Sequence, residues 1–122
     1  MTPTPTIEGL LATWIEAFNK HDLDTHTELY TEDAFLFGSI PELVIGRQAI
    51  RTYFSKRGPG VHVRRYPQPH IVYLSPHIAA TAAHVDFADG NTLMPYRVTW
   101  MLITQAGHWR IAQHHGSPRL DA

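Results

Sequence analysis

The hydrophobic period of this chain changes partway along it, and that change limits the possible folds more than any other feature. Before residue 57 the apolar positions recur at helical spacing. Ile7, Leu10, Leu11, Trp14, Ile15 and Phe18 follow i, i+3, i+4, i+7, i+8 and i+11, one continuous stripe on an amphipathic helix. "NKHD" at 19–22 breaks it, and Asp22 or Asp24 can cap a short second helix through Tyr30, with Thr25 and Glu28 at capping-box spacing. "DAFLFGS" (33–39) predicts a first strand ending at Gly38. Beyond the Pro41 turn, "GRQAIRTYFSKR" (46–57) predicts a third helix with Ile50 and Phe54 on one face. From "RGPG" (57–60) onward the period is that of strands. Breakers at Pro67, Pro69, "SPH" (75–77), "ADGN" (88–91) and "QAG" (105–107) separate β-rich runs. The runs are 61–74, which its prolines can split, then 77–87, 91–104 and 107–116. Asp89-Gly90-Asn91 and Ala106-Gly107 suit tight hairpins. Three helices followed by an antiparallel meander specify an α+β domain.

Composition excludes several function classes. At 122 residues the chain is one domain, large enough to bury roughly two-thirds of its unfolded surface. A mobile Thr/Pro arm is expected at 1–5, the folded domain at 6–117 and a short tail at 118–122. The absence of cysteine removes disulfides, thiolate metal sites and a cysteine nucleophile. No run approaches the ~20 apolar residues of a membrane helix, and "MTPTPT" has no signal-peptide character, so a cytoplasmic location is expected. A net charge of −1 supplies no long-range field, and neither a nucleic acid nor a membrane is an expected partner. The charges are nonetheless segregated. Residues 1–42 hold eight of eleven acids, and 47–65 hold six of ten bases, which suits acid–base complementarity within or between subunits.

Strand alternation then sorts side chains by face. In the last run Trp109, Ile111, Gln113 and His115 point one way, and Arg110, Ala112 and His114 the other. In the run before it, Arg97 shares a face with Leu93, Pro95, Thr99, Met101 and Ile103. Met94, Tyr96, Val98, Trp100 and Leu102 take the opposite face with Thr92. Neither face is polar enough to be simply wet. Helices must cover one, and a second copy of the chain is the economical cover for the other. Trp100, opposite Arg97, is expected at that interface.

Trp14 and Phe18, "HDLDTHTELYTEDAFLF", "GRQAIRTYF" and "RVTWMLITQAGHWRIAQHHGS" together resemble the nuclear transport factor 2-like superfamily over residues 6–117. The ending is similar to SnoaL-like and SgcJ/EcaC-type proteins and to bacterial relatives of the calcium/calmodulin-dependent kinase II association domain. The resemblance implies a cone, with a curved antiparallel sheet wrapped around the first helix and an open cavity. It also implies association as a dimer or larger assembly through the convex sheet face. It does not imply a reaction, because the scaffold hosts many. The steroid-isomerase members need a carboxylate base, a tyrosine and a second acid. Matching motifs put those positions near Gly38, at Trp14 and at Arg97, so that chemistry is absent.

Two residues carry the functional expectation. Arg97, if turned into a cavity lined by Trp14, Phe18, Tyr30, Ile50, Phe54 and Ala112, needs a counter-ion. That is either an anionic ligand bearing a carboxylate or enolate, or an internal carboxylate such as Asp86, Glu28 or Asp33. His114 on the same concave face can act as general base. Its other reading is a core histidine hydrogen-bonded to Tyr30 or to a backbone carbonyl. His115 faces the other way, toward the subunit interface. His62, His70, His77 and His84 have irregular spacings, and neither a metal nor a cofactor is expected. Tyr66, Tyr73 and Tyr96 fill half-buried strand positions. The leading reading is a small-molecule-binding cone protein, with a SnoaL-like enzyme of isomerase, cyclase or hydrolase type as its catalytic form. The alternative is a non-catalytic homo-oligomerisation module.

Overall fold

The computed structural model describes residues 3–66 and 68–120. Helix α1 (Ile7–Lys20) starts where the Thr6 hydroxyl accepts the Gly9 amide at 3.0 Å, and stops at His21, whose positive φ of 58° turns the chain away. Helix α2 (Leu23–Glu28) is capped by Asp22, which accepts the Thr25 amide at 3.2 Å. It ends two residues short of the expected Tyr30, because Tyr30 already begins a strand. Strand β1 (Tyr30–Phe37) is followed by the two-residue β2 (Val44–Ile45) and by α3 (Arg47–Ser55). Strands β3 (Val61–Arg65), β4 (His70–Ser75), β5 (Ile78–Asp89), β6 (Thr92–Gln105) and β7 (His108–Pro118) complete the chain. The prolines do split the 61–74 run, and both hairpin turns are present. Gly90 takes φ 59°, while Ala106 and Gly107 take φ 51° and 79°.

The sheet order is β2-β1-β7-β6-β5-β3, with β4 also paired to β5. It is mixed and not purely antiparallel as expected, since β1 lies parallel to β7 and sets Leu36 beside His114 and Phe37 beside His115. The sheet curves around α1 without closing. Leu10, Leu11, Trp14 and Phe18 of α1 pack with Leu36, Val98, Trp100, Leu102 and Ile111 of its inner face. Each fully buried side chain of this size adds roughly 1.5–3 kcal/mol of hydrophobic stabilisation.

One irregularity sets the geometry of the site. Between β6 and β7 the register shifts, so that Leu102 faces Ile111 while Met101 faces Gln113. Ala112 is the extra residue of a β-bulge. Past it Trp100 pairs with His114 and Thr99 with His115. Ile111 and His114 therefore share the inner face although three residues apart.

The arm expected at the N-terminus is anchored at Thr4, which is fully buried. Its hydroxyl donates to the Trp109 carbonyl at 2.8 Å and accepts from Arg110 at 2.8 Å, and its carbonyl takes the Trp109 amide at 2.9 Å. At the other end Pro118 still belongs to β7, and the Arg119 amide donates to the Pro95 carbonyl at 2.9 Å. The remainder of the expected arm and tail, at 1–2 and 121–122, lies outside the described residues.

Candidate functional site

Between α1, α3 and the inner face of the sheet lies a cavity of about 750 Å³. Trp14, Phe18, Phe54 and His114 line it, as expected. Tyr30 is completely buried behind the wall and reaches the site through Trp14 and His114, while Ile50 is a core residue on the buried side of α3. Ala112, as the bulge residue, is not in the lining. Phe87, Met94 and Tyr96 complete the apolar wall, and the β1–β2 loop contributes Ile40 and Leu43 at the mouth. Among the described residues no carboxylate lines the cavity.

The cavity floor carries a hydrogen-bond chain. Trp14 Nε1 donates to the Tyr30 hydroxyl at 2.9 Å, and that hydroxyl lies 2.8 Å from His114 Nδ1. The indole can only donate, so one lone pair of the phenol oxygen is committed to it. Burial raises the Tyr30 pKa far beyond its ordinary value, so its proton stays on and needs an acceptor. Among the described residues the acceptor it meets is His114 Nδ1. Burial, with a smaller contribution from His115, drives the His114 pKa from 6.5 down to about 3. The imidazole is thus neutral, accepts at Nδ1 and carries its proton on Nε2. Nε2 sits over Gly116, 3.5 Å from where a Cβ there would lie, and both residues line the cavity. The bare Gly116 leaves that N–H room. The hydrogen bond to Tyr30 is one of the two readings of His114 made above. With that bond Nδ1 is occupied, and it is Nε2 that faces the cavity with the proton.

The mouth carries the cation. Arg57, just past the end of α3, lies with its guanidinium 4.6 Å from the centre of the Phe18 ring. It donates to the Phe18 carbonyl at 2.7 Å, the Gly58 carbonyl at 3.0 Å and the Val61 carbonyl. Those bonds fix the guanidinium but do not neutralise it. Among the described residues no carboxylate lies within ion-pair distance of Arg57. Partial burial lowers its pKa, as expected for a charge withdrawn from water without a counter-ion. Lys56 lines the same rim. One turn earlier, Tyr53 accepts the Ser39 amide at 2.8 Å and closely approaches Gly38, where a Cβ would stand 2.2 Å from the phenol oxygen. Arg57, Tyr53 and Tyr96 escaped sequence reasoning. Arg57 falls at the end of the predicted third helix and at the "RGPG" breaker, and only folding places it against Phe18.

Arg97 is the principal correction. It is exposed on the outer face, while its neighbours Val98 and Trp100 point inward. The Ala112 bulge is the reason, because it pairs His114 with Trp100 and not with Thr99. Arg97 meets none of the carboxylates considered for it. Asp86 is paired with Arg65 at 4.0 Å and Arg119 at 3.7 Å, and Asp33 accepts from Thr31. Trp100, expected at an interface, is a core residue only 2% exposed. The position facing the cavity beside Arg97 is Val98, so neither register of β6 supplies the second acid of a steroid isomerase. His115 does face outward. His62 Nδ1 lies 3.1 Å from the Gly60 carbonyl and His77 Nδ1 lies 2.8 Å from the Thr104 hydroxyl. Among the described residues no three His, Asp or Glu converge on a metal-sized site.

Comparison with known proteins agrees with this architecture. The chain is similar in structure to a ketosteroid isomerase-like protein from Erwinia carotovora atroseptica SCRI1043, with a TM-score of 0.76, 22% identity and 92% of each chain covered. It is also similar to an NTF2-like protein of unknown function from Pseudomonas putida KT2440, with a TM-score of 0.79, 20% identity and coverage of 91% and 82%. A putative scytalone dehydratase from Novosphingobium aromaticivorans DSM 12444 gives a TM-score of 0.80 at 12% identity, with 93% and 82% covered. At these identities the likeness is one of fold. No curated protein matches the sequence. The SnoaL-like domain family matches residues 7–121, and the chain belongs to that family.

Proposed function

We propose that the cone cavity binds a small, mostly apolar molecule with an acceptor oxygen for His114 at the floor and an anionic group for Arg57 at the mouth. The observation that carries this reading is the Trp14–Tyr30–His114 chain, which commits a neutral imidazole to presenting its Nε2–H to an otherwise greasy cavity. Such a donor polarises a carbonyl and stabilises an enolate oxygen without adding a charge to the site. The isomerase and dehydratase names of two structural neighbours agree with oxygen polarisation of this kind. A proton acceptor would have to come from the ligand or from water, since no carboxylate lines the cavity. Arg57 takes the role that the sequence suggested for Arg97, and the ligand class, an anion of carboxylate or enolate type, stays the same.

Thermal melting against matched pairs of aromatic or alicyclic carboxylic acids and their methyl esters tests this. An acid at a hundred times its Kd should stabilise the fold by about 2.7 kcal/mol, roughly 10 °C in Tm. Arg57→Gln should cost that acid about tenfold in affinity while leaving the ester unchanged. Equal binding of acid and ester would remove Arg57 from recognition. Failure of both, with His114→Gln inert as well, would overturn the cavity reading.

A second reading, self-association, is favoured by the outer face of the sheet. Register places Ile45, Phe35, Gln113, Met101, Ala80 and Val72 in one row across it. Phe35 is 44% exposed and Ile45 67%. A second copy packed on this row would cover both. Phe35→Asp should then halve the sedimenting mass, and an unchanged mass, or a monomeric parent, rejects the reading.

A further inference from the structure

The outer face has a second character beyond its apolar row. One pleat along, Phe37, His115, Thr99, Ala82 and His70 stand in register, and the next row holds Ser117, Arg97 and His84. Residues of these last two rows line a groove of about 580 Å³ that includes Arg97, His84, His70, His115 and Ser117 and, among the described residues, no carboxylate. Arg97 is flanked across the strands by His84 on one side and Ser117 on the other, and by His115 on the diagonal.

The electrostatic balance of this end of the sheet is one-sided. Asp86, two residues from His84 on the same side of β5, is the carboxylate that could compensate Arg97. It is engaged instead by Arg65 at 4.0 Å and Arg119 at 3.7 Å. Among the described residues three arginines therefore stand against one carboxylate. Among the described residues Arg97 has neither an ion-pair nor a hydrogen-bond partner. A planar guanidinium with five free donors matches a tetrahedral or trigonal oxyanion in two-point fashion. An imidazole offers an N–H and a serine an O–H, so the neighbours can donate to the oxygens that Arg97 leaves unmet.

We propose that this groove is an oxyanion site, separate from the cavity, that takes the phosphate or carboxylate group of a small molecule between Arg97, His84, His115 and Ser117. The two sites lie on opposite faces of one sheet. Arg97 and Val98 are adjacent in β6 and point to different sites, so occupancy of one need not block the other.

Titration with inorganic phosphate, followed by backbone amide NMR and repeated at matched ionic strength in sodium chloride, tests the proposal. Saturable shifts at residues 84, 97, 115 and 117 are expected with phosphate and not with chloride. Citrate in place of phosphate separates the two oxyanion classes, and saturation by either at these residues upholds the site. Arg97→Gln, at an exposed position, should weaken binding about tenfold, and His84→Gln about threefold, without changing the response of the cavity to its acids. Shifts reproduced by chloride, or equal affinity in Arg97→Gln, would overturn the site. So would binding lost as the protein associates at high concentration, which would identify the groove as part of a contact between copies.

Discussion

Acidification from about pH 7 to about pH 4 unfolds this protein well before its carboxylates are fully protonated, and the slope belongs chiefly to two histidines. His26 and His114 are both buried, and desolvation drives each from an ordinary pKa of 6.5 to about 3. His26 is pushed further by the positive charge that His114 and Arg57 would present to it. The unfolded chain takes up protons on both rings as the pH falls through about 6.5, whereas the fold refuses them until about 3. Their contribution is complete above the unfolded pKa and drains away as the pH drops. The loss approaches about 1.4 kcal/mol per pH unit for each histidine inside that window. Together they withdraw up to about 7 kcal/mol between about pH 6.5 and pH 4, comparable with the ~5–15 kcal/mol that holds a domain folded. Urea midpoints measured at intervals down from neutrality should fall steeply, and His114→Gln should remove about half of the slope. His26→Leu should remove the rest. It should not destabilise at neutral pH, because His26 Nε2 is buried without a hydrogen-bond partner. A flat profile through this window would mean that the rings are solvated.

How far this fold was legible can be judged at individual residues. The stripe from Ile7 to Phe18 is a helix because its six positions admit no other period, and the cap at Asp22 is a local hydrogen bond. The cone and its cavity follow from the family likeness together with that stripe. The failure lies in one residue of β7. A two-residue turn at Ala106-Gly107 pairs Gln105 with His108. Continued without interruption, that register pairs Thr99 with His114 and turns Arg97 to the same face as the histidine. The bulge at Ala112 adds one residue on β7 alone, and every pairing beyond it moves by one. No glycine, proline or charge marks that bulge. Alanine is indifferent to it, and what enforces it is packing, with Ile111 and His114 both held against the interior. Arg57 was hidden for a different reason: its partners Phe18 and Val61 are remote or non-helical neighbours that only the closed fold assembles. Local patterns identify elements; a site built from the ends of three elements depends on registers that they do not encode.

Trp14→Ala should be the most damaging single substitution, costing about 3–5 kcal/mol in urea unfolding. The indole is only 3% exposed and is the hub of the aromatic interior. It stacks on Phe18 with centroids 5.3 Å apart and meets His26 at 4.7 Å, Phe54 at 6.1 Å and Trp100 at 6.2 Å. Removing it leaves a hollow continuous with the existing cavity, which the curved sheet cannot collapse to fill. Trp14→Phe divides the structural role from the functional one. It keeps most of the ring packing and should cost only about 1 kcal/mol more than the lost bulk, for the missing hydrogen bond to Tyr30. Its larger effect is on the site. With no indole N–H to occupy it, the phenol oxygen is free to accept a proton from His114 Nδ1, and the imidazole can populate the tautomer whose proton no longer faces the cavity. Nitrogen chemical shifts of His114 should show a single Nε2–H form in the parent and a mixture in Trp14→Phe, with a matching loss of affinity for ligands that bring an acceptor oxygen. A parent already mixed would detach the floor of the cavity from the helix that positions it, and a Trp14→Ala cost below about 1 kcal/mol would do the same for the fold.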